Sequence, residues 1–545
     1  MTTQNPPRPQ PEPGAIRDIV VIGAGFAGLY AVHASRRAGR DVLCLEAGQG
    51  VGGTWYFNRY PGARCDVESI DYSYSFDDEL QQEWRWTERY ATQPEILAYI
   101  EHVAERFDLL RDVRLGTRVA QAHFDESEVL WRLRTDAGED ILARHLVLAT
   151  GSLSIPNLPD IAGVSDFEGE VLHTAQWPEE PPTFEGKRVG VIGTGSSGIQ
   201  SVPVLAEQAA HLTVFQRTAN YSVPALNRPL TDADQLRIQA EYPERRRKSR
   251  GSGGGSPHVA HPRKAADCEP EERRAALERG WTTGGVLFGK TFPDQYTDIG
   301  SNDFAREFAE EKIRARVKDP AVADRLIPTG QPLGAKRICT DSGYYETFNR
   351  DNVELVDLRT EPITTFTGWG IKTAASSYEL DVVVFATGFD ALTGALSRID
   401  LRGTGGVRIQ DAWKDGPHTY LGIQVPGFPN MYLVNGAGSP GVLANMVMHA
   451  ELQFDWILAM IEEATARGAD QIEARADAAD KWTAHVDEAA AGTVFVRADS
   501  WYLGSNIEGK PRKFMLYTGG MGAYLGICAE VAENGYEGFV LTSRS

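Results

Sequence analysis

The chain has 545 residues, which is long enough for roughly three to four domain-sized units. A hydrophobic content of 42% favours an ordinary globular protein, and a net charge of −20 argues against nucleic acid as a partner. The five cysteines form no CxxC pair, so we expect reduced thiols, a cytoplasmic location and no redox-active disulfide. No apolar run reaches the length of about 18 residues that indicates a membrane span, so we expect no membrane partner.

The first predicted element after a proline-rich leader is a strand-turn-helix unit. Residues 1–16 are polar, lack the apolar core of a signal peptide and are predicted to be disordered. The apolar run 18–22 precedes a GxGxxG fingerprint, which allows a tight turn and a close approach of the backbone to a pyrophosphate at a helix N-terminus. The cofactor-binding residues predicted from this fingerprint are Gly23, Gly25, Phe26, Ala27 and Gly28.

The end of the next predicted strand indicates which dinucleotide this unit binds. Glu46 directly follows the apolar run 41–45, about 20 residues after the fingerprint. A carboxylate at this position can accept hydrogen bonds from both ribose hydroxyls of an adenosine that has no 2′-phosphate. Glu46 therefore predicts FAD or NAD.

A second copy of the pattern lies further along the chain, after the apolar run 188–192. Its predicted cofactor-binding residues are Gly193, Thr194, Gly195, Ser196, Ser197 and Gly198. The following strand ends at Gln216, Arg217 and Thr218, with no acidic residue. A cation and a hydroxyl suit the 2′-phosphate of NADP, which a carboxylate would repel. The sequence thus predicts two bound dinucleotides.

Two similar apolar strands that end in Ala-Thr-Gly, residues 146–151 and 382–388, are predicted to close the two units beside their glycine-rich turns. Between them, a charged and helix-favouring segment predicts a helical insertion. We interpret its basic run, 244–250, as a solvated helix face and its glycine-rich run, 251–255, as a mobile loop. The sequence therefore predicts an α/β fold with two Rossmann-like domains. The FAD-binding domain is predicted to comprise residues 17–152 and 390–545, and the NADP-binding domain residues 153–220 and 331–389. Residues 221–330 are predicted to form the helical insertion.

A third motif, FxGxxxHTxxWP, lies between the two fingerprints. Its residues are Phe167, Gly169, His173, Thr174, Trp177 and Pro178. This motif resembles the identifying sequence of type I Baeyer-Villiger monooxygenases. A second signature of that family matches at Gly53, Trp55, Tyr60, Pro61, Gly62 and Asp66. The resemblance covers nearly the whole chain, and within the family it is greatest to the phenylacetone and steroid monooxygenases, through residues 66–74, 334–337, 341–345 and 500–504.

The resemblance implies a two-stage flavin cycle that uses FAD and NADPH. NADPH reduces FAD, dioxygen then forms a C4a-peroxyflavin, and one oxygen atom is inserted next to a ketone carbonyl to give an ester or lactone. The other oxygen leaves as water, and NADP+ is retained during the cycle. Such chemistry requires a fixed cation and protection from water. The expected partners are a small-molecule ketone and O2.

The matched motifs imply roles for single residues. Arg337 and Asp66 are expected to be catalytic, with the carboxylate orienting the guanidinium. Lys336 is expected to contact the NADP 2′-phosphate, and Trp501 to lie on a mobile C-terminal loop over the nicotinamide. His173 is expected to hold the interdomain linker and not to act as a base. Further cofactor contacts implied by the resemblance are Gly53, Thr54, Trp55, Arg64, Asp66, Tyr72, Val119, Arg337 and Met446, and no metal ligand is predicted.

Two other functions share part of these features. A flavin monooxygenase of amines or sulfides would have both fingerprints, but it would normally lack Trp177-Pro178 and the pair Lys336-Arg337. A non-catalytic, redox-sensing flavoprotein would not need Asp66, Arg337 and Trp501. The sequence determines neither the ketone nor the oligomeric state.

Overall fold

A computed structural model describes residues 15–543 of the chain. The strands are β1 (Ile16–Ile22), β2 (Val42–Leu45), β3 (Val113–Arg114), β4 (Val119–Asp125), β5 (Leu130–Thr135), β6 (Asp140–Leu148), β7 (Glu170–His173), β8 (Arg188–Ile192), β9 (His211–Gln216), β10 (Ser222–Pro224), β11 (Cys339–Asp341), β12 (Val353–Asp357), β13 (Ile363–Thr367), β14 (Gly370–Thr373), β15 (Ser377–Glu379), β16 (Val382–Phe385), β17 (Asp400–Arg402), β18 (Met431–Leu433), β19 (Gln471–Ala474) and β20 (Phe539–Thr542). The α-helices are α1 (Phe26–Arg37), α2 (Thr54–Phe57), α3 (Asp78–Glu83), α4 (Gln93–Arg106), α5 (Ser196–Gln208), α6 (Asp232–Gly251), α7 (Pro270–Thr283), α8 (Ile299–Arg316), α9 (Pro320–Leu326), α10 (Tyr344–Thr347), α11 (Gly394–Ser397), α12 (Ile409–Ala412), α13 (Met446–Ala466), α14 (Ala476–Ala491) and α15 (Met521–Glu533). Most of the predicted leader lies outside the described residues, and its last residue, Ile16, already belongs to β1.

The first sheet has eight strands and is centred on β1. β1 pairs in parallel with β2 and β6, and β6 continues through β5 to β4 as an antiparallel meander. Successive residues of β1 face opposite sides of the sheet, as the two-residue repeat of a strand requires. Ile19 and Val21 pack into the core formed with α1, α4 and α13, whereas Val20 and Ile22 pack into the core on the other face.

The second sheet has five strands, all parallel, in the order β12-β9-β8-β16-β7. α5 follows β8 directly and packs against it. Val189 and Val191 enter one core, while Ile192 and Phe385 enter another. Strands that are buried on both faces consist of nearly continuous apolar residues, which is why these strands could be recognised from the sequence.

The segment between β10 and β11 contains the helices α6 to α9. β10 and β11 pair in parallel, so the two ends of this insertion lie side by side. Its core includes Trp281, which meets the rings of Phe288 and Phe308 edge to face. The predicted α/β fold class with a helical insertion is confirmed, and the domain boundaries stay a prediction. Among residues 15–543, no helix has both the length and the apolar character that crossing a bilayer requires.

The interpretation of the basic run 244–250 as a solvated helix face is wrong for two of its arginines and for Ser249, which is fully buried. Arg246 is only 5% exposed and donates hydrogen bonds to the Ser73 hydroxyl at 2.7 Å and to the Asp71 carbonyl at 3.2 Å. Arg245 donates to both carboxylate oxygens of Asp71 at 2.6 Å. The end of α6 therefore attaches the insertion to the first dinucleotide unit.

The glycine-rich segment 251–255 at the end of α6 contacts the C-terminal part of the chain. The backbone N–H groups of Asn445 and Met521 donate to the carbonyls of Gly254 and Gly253, at 2.9 and 3.0 Å. The mobility expected for this segment stays a prediction.

Candidate functional site

The two glycine-rich turns have the same geometry. Gly23 and Gly193 have φ angles of +102° and +111°, which side chains rarely allow. A Cβ atom on either one would lie 2.5 Å from a carbonyl oxygen, of Ala149 or of Ala386. The third glycine of each fingerprint has no room for a Cβ either, because it packs on the carbonyl of the first. The prediction that the Ala-Thr-Gly strands return beside these turns is confirmed.

Both turns lead into helices whose N-termini have no side-chain cap. The N-cap residues of α1 and α5 are Gly25 and Gly195, and neither first turn contains an acidic residue. The free N–H groups and the helix dipole therefore suit an external anion such as a pyrophosphate. A Cβ on Gly195 would have no atom within 4 Å, whereas Gly25 packs against Gly53, whose φ is +55°. The residues that form the two first turns include Phe26, Ala27, Ser196 and Ser197.

The two units differ where the adenosine ribose is expected. Glu46 is 5% exposed, and its two carboxylate oxygens accept hydrogen bonds from the N–H groups of Ala24 and Gly48, both at 2.7 Å. This fixes the carboxylate beside the first turn, with lone pairs remaining for ribose hydroxyls. The corresponding Gln216 is buried and donates to the Arg325 carbonyl at 2.7 Å. The second unit thus has no carboxylate at this position.

Two cations lie near each other at the second unit. Arg217 and Lys336 form no ion pair with any residue between 15 and 543. Burial, and then the nearby charge of Arg217, lowers the pKa of Lys336. Thr218 is exposed beside Arg217, and its carbonyl accepts a hydrogen bond from the Thr194 hydroxyl at 2.9 Å. Two cations without a carboxylate partner suit a phosphate group.

Arg337 and Asp66 form a two-point ion pair. The guanidinium Nε donates to Asp66 Oδ2 at 2.7 Å and Nη2 donates to Oδ1 at 2.9 Å. Nη1 also donates to the Val442 carbonyl at 2.8 Å. Burial opposes the charge of Arg337, but Asp66 and the neighbouring Tyr502 hydroxyl outweigh it, so the pKa is held above its ordinary value. The site therefore contains a cation in a fixed orientation at every working pH.

Trp501 begins a 3-10 turn, Trp501–Leu503, in the segment between α14 and α15, which we call the C-terminal segment. Its ring lies 4.4 Å from that of Tyr502, which is 1% exposed and lies beside Arg337. Burial raises the pKa of Tyr502, so its hydroxyl remains protonated. The segment is held by an ion pair of 2.7 Å between Lys510 and Asp390, the residue that directly follows the second unit.

A cavity of about 720 Å³ lies beside the ion pair. Residues from both units, the insertion and the C-terminal segment surround it, including Asp66, Phe288, Lys290, Arg337, Leu443 and Tyr502. Burial and the charge of Arg337 lower the pKa of Lys290. The guanidinium of Arg337 thus borders a volume that can hold a small molecule.

An aromatic group lies near the N-terminus of α1. The Trp55 indole N–H donates to the Tyr72 hydroxyl at 3.2 Å, and Phe26 meets the Tyr72 ring edge to face at 5.3 Å. Thr54 precedes Trp55 as the first residue of α2, and Met446 is the first residue of α13. The structure thus brings together Phe26, Trp55 and Tyr72 beside the first turn of α1.

Two other predicted cofactor contacts lie further from this group. Val119 is the 5% exposed first residue of β4, and the N–H of nearby Thr117 donates to the Glu46 carbonyl at 2.8 Å. Val119 therefore lies on the Glu46 side of the first unit. Arg64 forms an ion pair with Glu88, and its carbonyl accepts from Gln200 of α5 at 3.0 Å. Arg64 thus lies at the contact between the two units.

His173 of the linker motif is buried at the end of β7. Its Nδ1 accepts from the Ala175 N–H at 2.9 Å, and its Nε2 lies 3.3 Å from the Thr387 hydroxyl in the second Ala-Thr-Gly turn. Burial lowers the pKa of His173, so the ring is neutral near pH 7. The backbone N–H of Trp177 donates to the Phe57 carbonyl of the first unit. The Trp177 contact joins the two units, whereas both contacts of His173 lie within the second unit.

The other linker residues have structural positions. Phe167 is buried and meets the Phe366 ring edge to face. Thr174 is fully buried, and its N–H donates to the Phe385 carbonyl at the end of β16. A Cβ on Gly169 would lie 2.5 Å from the Asp381 carbonyl. The motif is therefore fitted closely to the second sheet.

Comparison with known proteins places the chain in a family. A family model described as pyridine nucleotide-disulphide oxidoreductase matches residues 20–233. A Baeyer-Villiger monooxygenase of Pseudooceanicola batsensis is 43% identical, with 97% of this chain and 96% of that protein covered. The chain belongs to the Baeyer-Villiger monooxygenases. The family predicted from the motifs is thus confirmed.

Solved structures agree with this Baeyer-Villiger fold. A steroid monooxygenase bound to NADP is 56% identical, with a TM-score of 0.94 over 97% of this chain and 100% of that one. A complex named OTEMO with FAD and NADP is 41% identical, with a TM-score of 0.94 over 96% of this chain and 99% of that one.

Sequence reasoning missed three groups that the structure places at Arg337. The Val442 carbonyl accepts one of its hydrogen bonds, Tyr502 lies beside its guanidinium, and Lys290 shares its cavity. Tyr502 lies in the stretch 500–504 that carries the resemblance, directly after Trp501, but no role was expected for it. Neither Val442 nor Lys290 lies in a pattern that predicts chemistry.

Proposed function

We propose that this Baeyer-Villiger monooxygenase uses NADPH, FAD and O2 to insert one oxygen atom next to the carbonyl of a small ketone. The product is an ester or lactone, and the second oxygen atom leaves as water. The observation that carries this proposal is the Arg337–Asp66 ion pair, which borders a cavity between the two dinucleotide units.

The first unit fits FAD. The uncapped N-terminus of α1 suits the pyrophosphate, and Glu46 suits the ribose of an adenosine without 2′-phosphate. Trp55 and Tyr72 are proposed to contact the flavin ring. Gly53 has a φ angle of +55°, and a Cβ on it would lie 3.1 Å from the Cα of Gly25, so this position beside the turn favours glycine.

The second unit fits NADPH. The uncapped N-terminus of α5 suits its pyrophosphate, and Arg217 with Lys336 supplies two cations for the 2′-phosphate. Gln216 is neutral, so nothing at this position repels that phosphate. We therefore expect NADPH to be preferred strongly over NADH.

When bound, the two cofactors supply the reducing equivalents and the activation of O2. The contribution of the chain is a guanidinium whose hydrogen bonds to Asp66 and Val442 occupy three of its N–H groups. The remaining N–H groups of Arg337 are left to stabilise negative charge on a reacting oxygen. Asp66 orients Arg337, because a carboxylate that accepts two parallel hydrogen bonds fixes the plane of the guanidinium.

Protection from water is proposed to come from the C-terminal segment. Tyr502 covers the guanidinium, and Trp501 packs on Tyr502. Excluding water strengthens the electrostatic effect of Arg337, since charges interact more strongly in a medium of low dielectric constant. Trp501 is half-buried, so it can change its contacts when substrate binds.

The proposal is tested with purified protein and a panel of aryl-alkyl, linear, cyclic and steroid ketones. The expected result is bound FAD, NADPH oxidation that a ketone accelerates, and an ester or lactone identified by gas chromatography and mass spectrometry. Amines and sulfides are assayed in parallel. Oxygenation of amines or sulfides alone would show a different flavin monooxygenase activity, and NADPH oxidation without any oxygenated product would contradict both.

A further inference from the structure

Three side chains with metal-binding atoms meet at the start of α7, where one of them, His261, reaches the wall of the cavity. The Cys268 Sγ lies 3.7 Å from His261 Nδ1, and the Glu272 Oε1 lies 3.3 Å from His261 Nε2. One ligand atom from each residue can be chosen so that all lie within 4.8 Å of one another. In the described part of the chain, this is the only group of three or more such residues found.

The backbone around this group is well fixed. The His261 N–H donates to the Thr291 carbonyl at 2.8 Å, and the Cys268 N–H donates to the Ala265 carbonyl. The Arg273 guanidinium donates to the carbonyls of Ala265 and Cys268. Glu272 is in the first turn of α7. Little conformational entropy of the chain is therefore lost when a ligand binds here.

The two oxygens of Glu272 have separate surroundings. Oε2 forms an ion pair with Arg263, whereas Oε1 faces His261. Arg263 can therefore orient the carboxylate from outside while Oε1 remains available to a metal ion. Such a partner is the usual support for a metal-ligating carboxylate.

The combination of thiolate, imidazole and carboxylate selects among metals. Mg²⁺ and Ca²⁺ prefer sets of oxygen ligands, whereas Zn²⁺ binds sulfur, nitrogen and oxygen at about 2.0 to 2.3 Å. Tetrahedral binding at those lengths requires ligand atoms about 3 to 4 Å apart. One ion can bind only one of the two ring nitrogens of His261, so the side chain that now faces the other nitrogen must turn toward the ion. We propose that His261, Cys268 and Glu272 bind one Zn²⁺ ion, with water as the fourth ligand.

The protonation states determine how binding depends on pH. Zinc binds a cysteine as the thiolate, whereas a free cysteine is mainly a thiol near neutral pH. Forming the Zn–S bond breaks the S–H bond and releases one proton to solvent. Affinity should therefore rise with pH.

The ion would also affect the cavity wall. His261 lines the cavity beside Arg337, whereas Cys268 is packed in the core of the insertion. Zinc would thus connect a residue of the cavity wall to the start of α7. This role is independent of the oxygenation chemistry, so the zinc site can exist whether or not the proposed reaction does.

The test uses the FAD-bound enzyme after treatment with a chelator and desalting. Zn²⁺ is titrated by calorimetry at about pH 8 in two buffers of different ionisation enthalpy, which measures proton release. Co²⁺ is titrated separately, because a thiolate ligand produces a charge-transfer band in the near ultraviolet. The variants are Cys268→Ser and Glu272→Gln, and the matched control is Cys528→Ser, since Cys528 is also buried but belongs to no such group.

We expect one Zn²⁺ per chain, one proton released, and a cobalt-thiolate band. Cys268→Ser should remove the band and weaken Zn²⁺ binding more than about 100-fold, because losing even a supporting outer partner costs about 10- to 100-fold. Glu272→Gln should weaken binding about tenfold or more with the fold intact, and Cys528→Ser should change neither. Absent binding, absent proton release, or binding that survives Cys268→Ser would each overturn the proposal.

Discussion

Replacing Arg337 by lysine separates charge from geometry at the proposed active site. Lysine keeps the positive charge but cannot span both oxygens of Asp66 and also reach the Val442 carbonyl, as the guanidinium does at 2.7, 2.9 and 2.8 Å. At least two charge-assisted hydrogen bonds are lost, each worth about 1.5 to 3 kcal/mol. If the orientation of this cation controls oxygen insertion, the loss of about 3 kcal/mol slows ester formation roughly 100-fold.

The assay measures NADPH oxidation, hydrogen peroxide and ester in the same reaction. Arg337→Lys should keep FAD and continue to oxidise NADPH slowly, but release hydrogen peroxide in place of ester. The matched control is Arg359→Lys, because Arg359 forms a similar two-point pair with Asp357 on the second unit, at 3.0 and 2.8 Å. The reasoning is refuted if Arg337→Lys makes ester at the normal rate, or if Arg359→Lys loses ester to the same extent.

Three further predictions concern the cofactors and the core. Arg217→Ala removes one of the two unpaired cations, so it should raise the KM for NADPH about 10- to 100-fold and leave the KM for NADH unchanged. Steady-state kinetics with both nucleotides measures the two values. An equal rise of KM for NADPH and NADH would contradict the prediction. Gly195→Ala should fold normally and bind NADPH more weakly, whereas Gly198→Ala should also lower the unfolding temperature, since only Gly195 has open space for a Cβ. Burial raises the pKa of Glu451 from 4.5 to about 7, so this group binds a proton more tightly in the folded protein than in the unfolded chain. The free energy of unfolding should therefore fall by on the order of 3 kcal/mol as the pH rises from about 4.5 to 7. In Glu451→Gln, thermal unfolding temperatures should therefore depend less on pH in that window, and an unchanged pH dependence would refute the assignment.

The dinucleotide units could be predicted from the sequence because their constraints are local. Gly23 and Gly193 need positive φ angles and space for a nearby carbonyl, and only glycine satisfies both. Strands buried on both faces leave continuous apolar runs. These two physical rules are enough to predict the glycine-rich turns, the strands beside them and the positions at which phosphate groups are expected.

Contacts between distant parts of the chain could not be predicted in this way. The pairing of Asp66 with Arg337 was expected only from resemblance to a family, since no local rule connects the two residues. The basic run was misinterpreted for the same reason. Arg245 and Arg246 look like a solvated face until folding brings Asp71 against them.

The dispersed origin of the groups around Arg337 limits how this enzyme can be recombined with its relatives. Arg337 lies between the insertion and β11, whereas Asp66, Val442 and Tyr502 come from three other segments. A chimera that exchanges only the second unit would take the arginine from one parent enzyme and its carboxylate, carbonyl and phenol partners from the other. Crossovers chosen at domain boundaries would therefore divide the reactive centre, and libraries should inherit these four positions as one set.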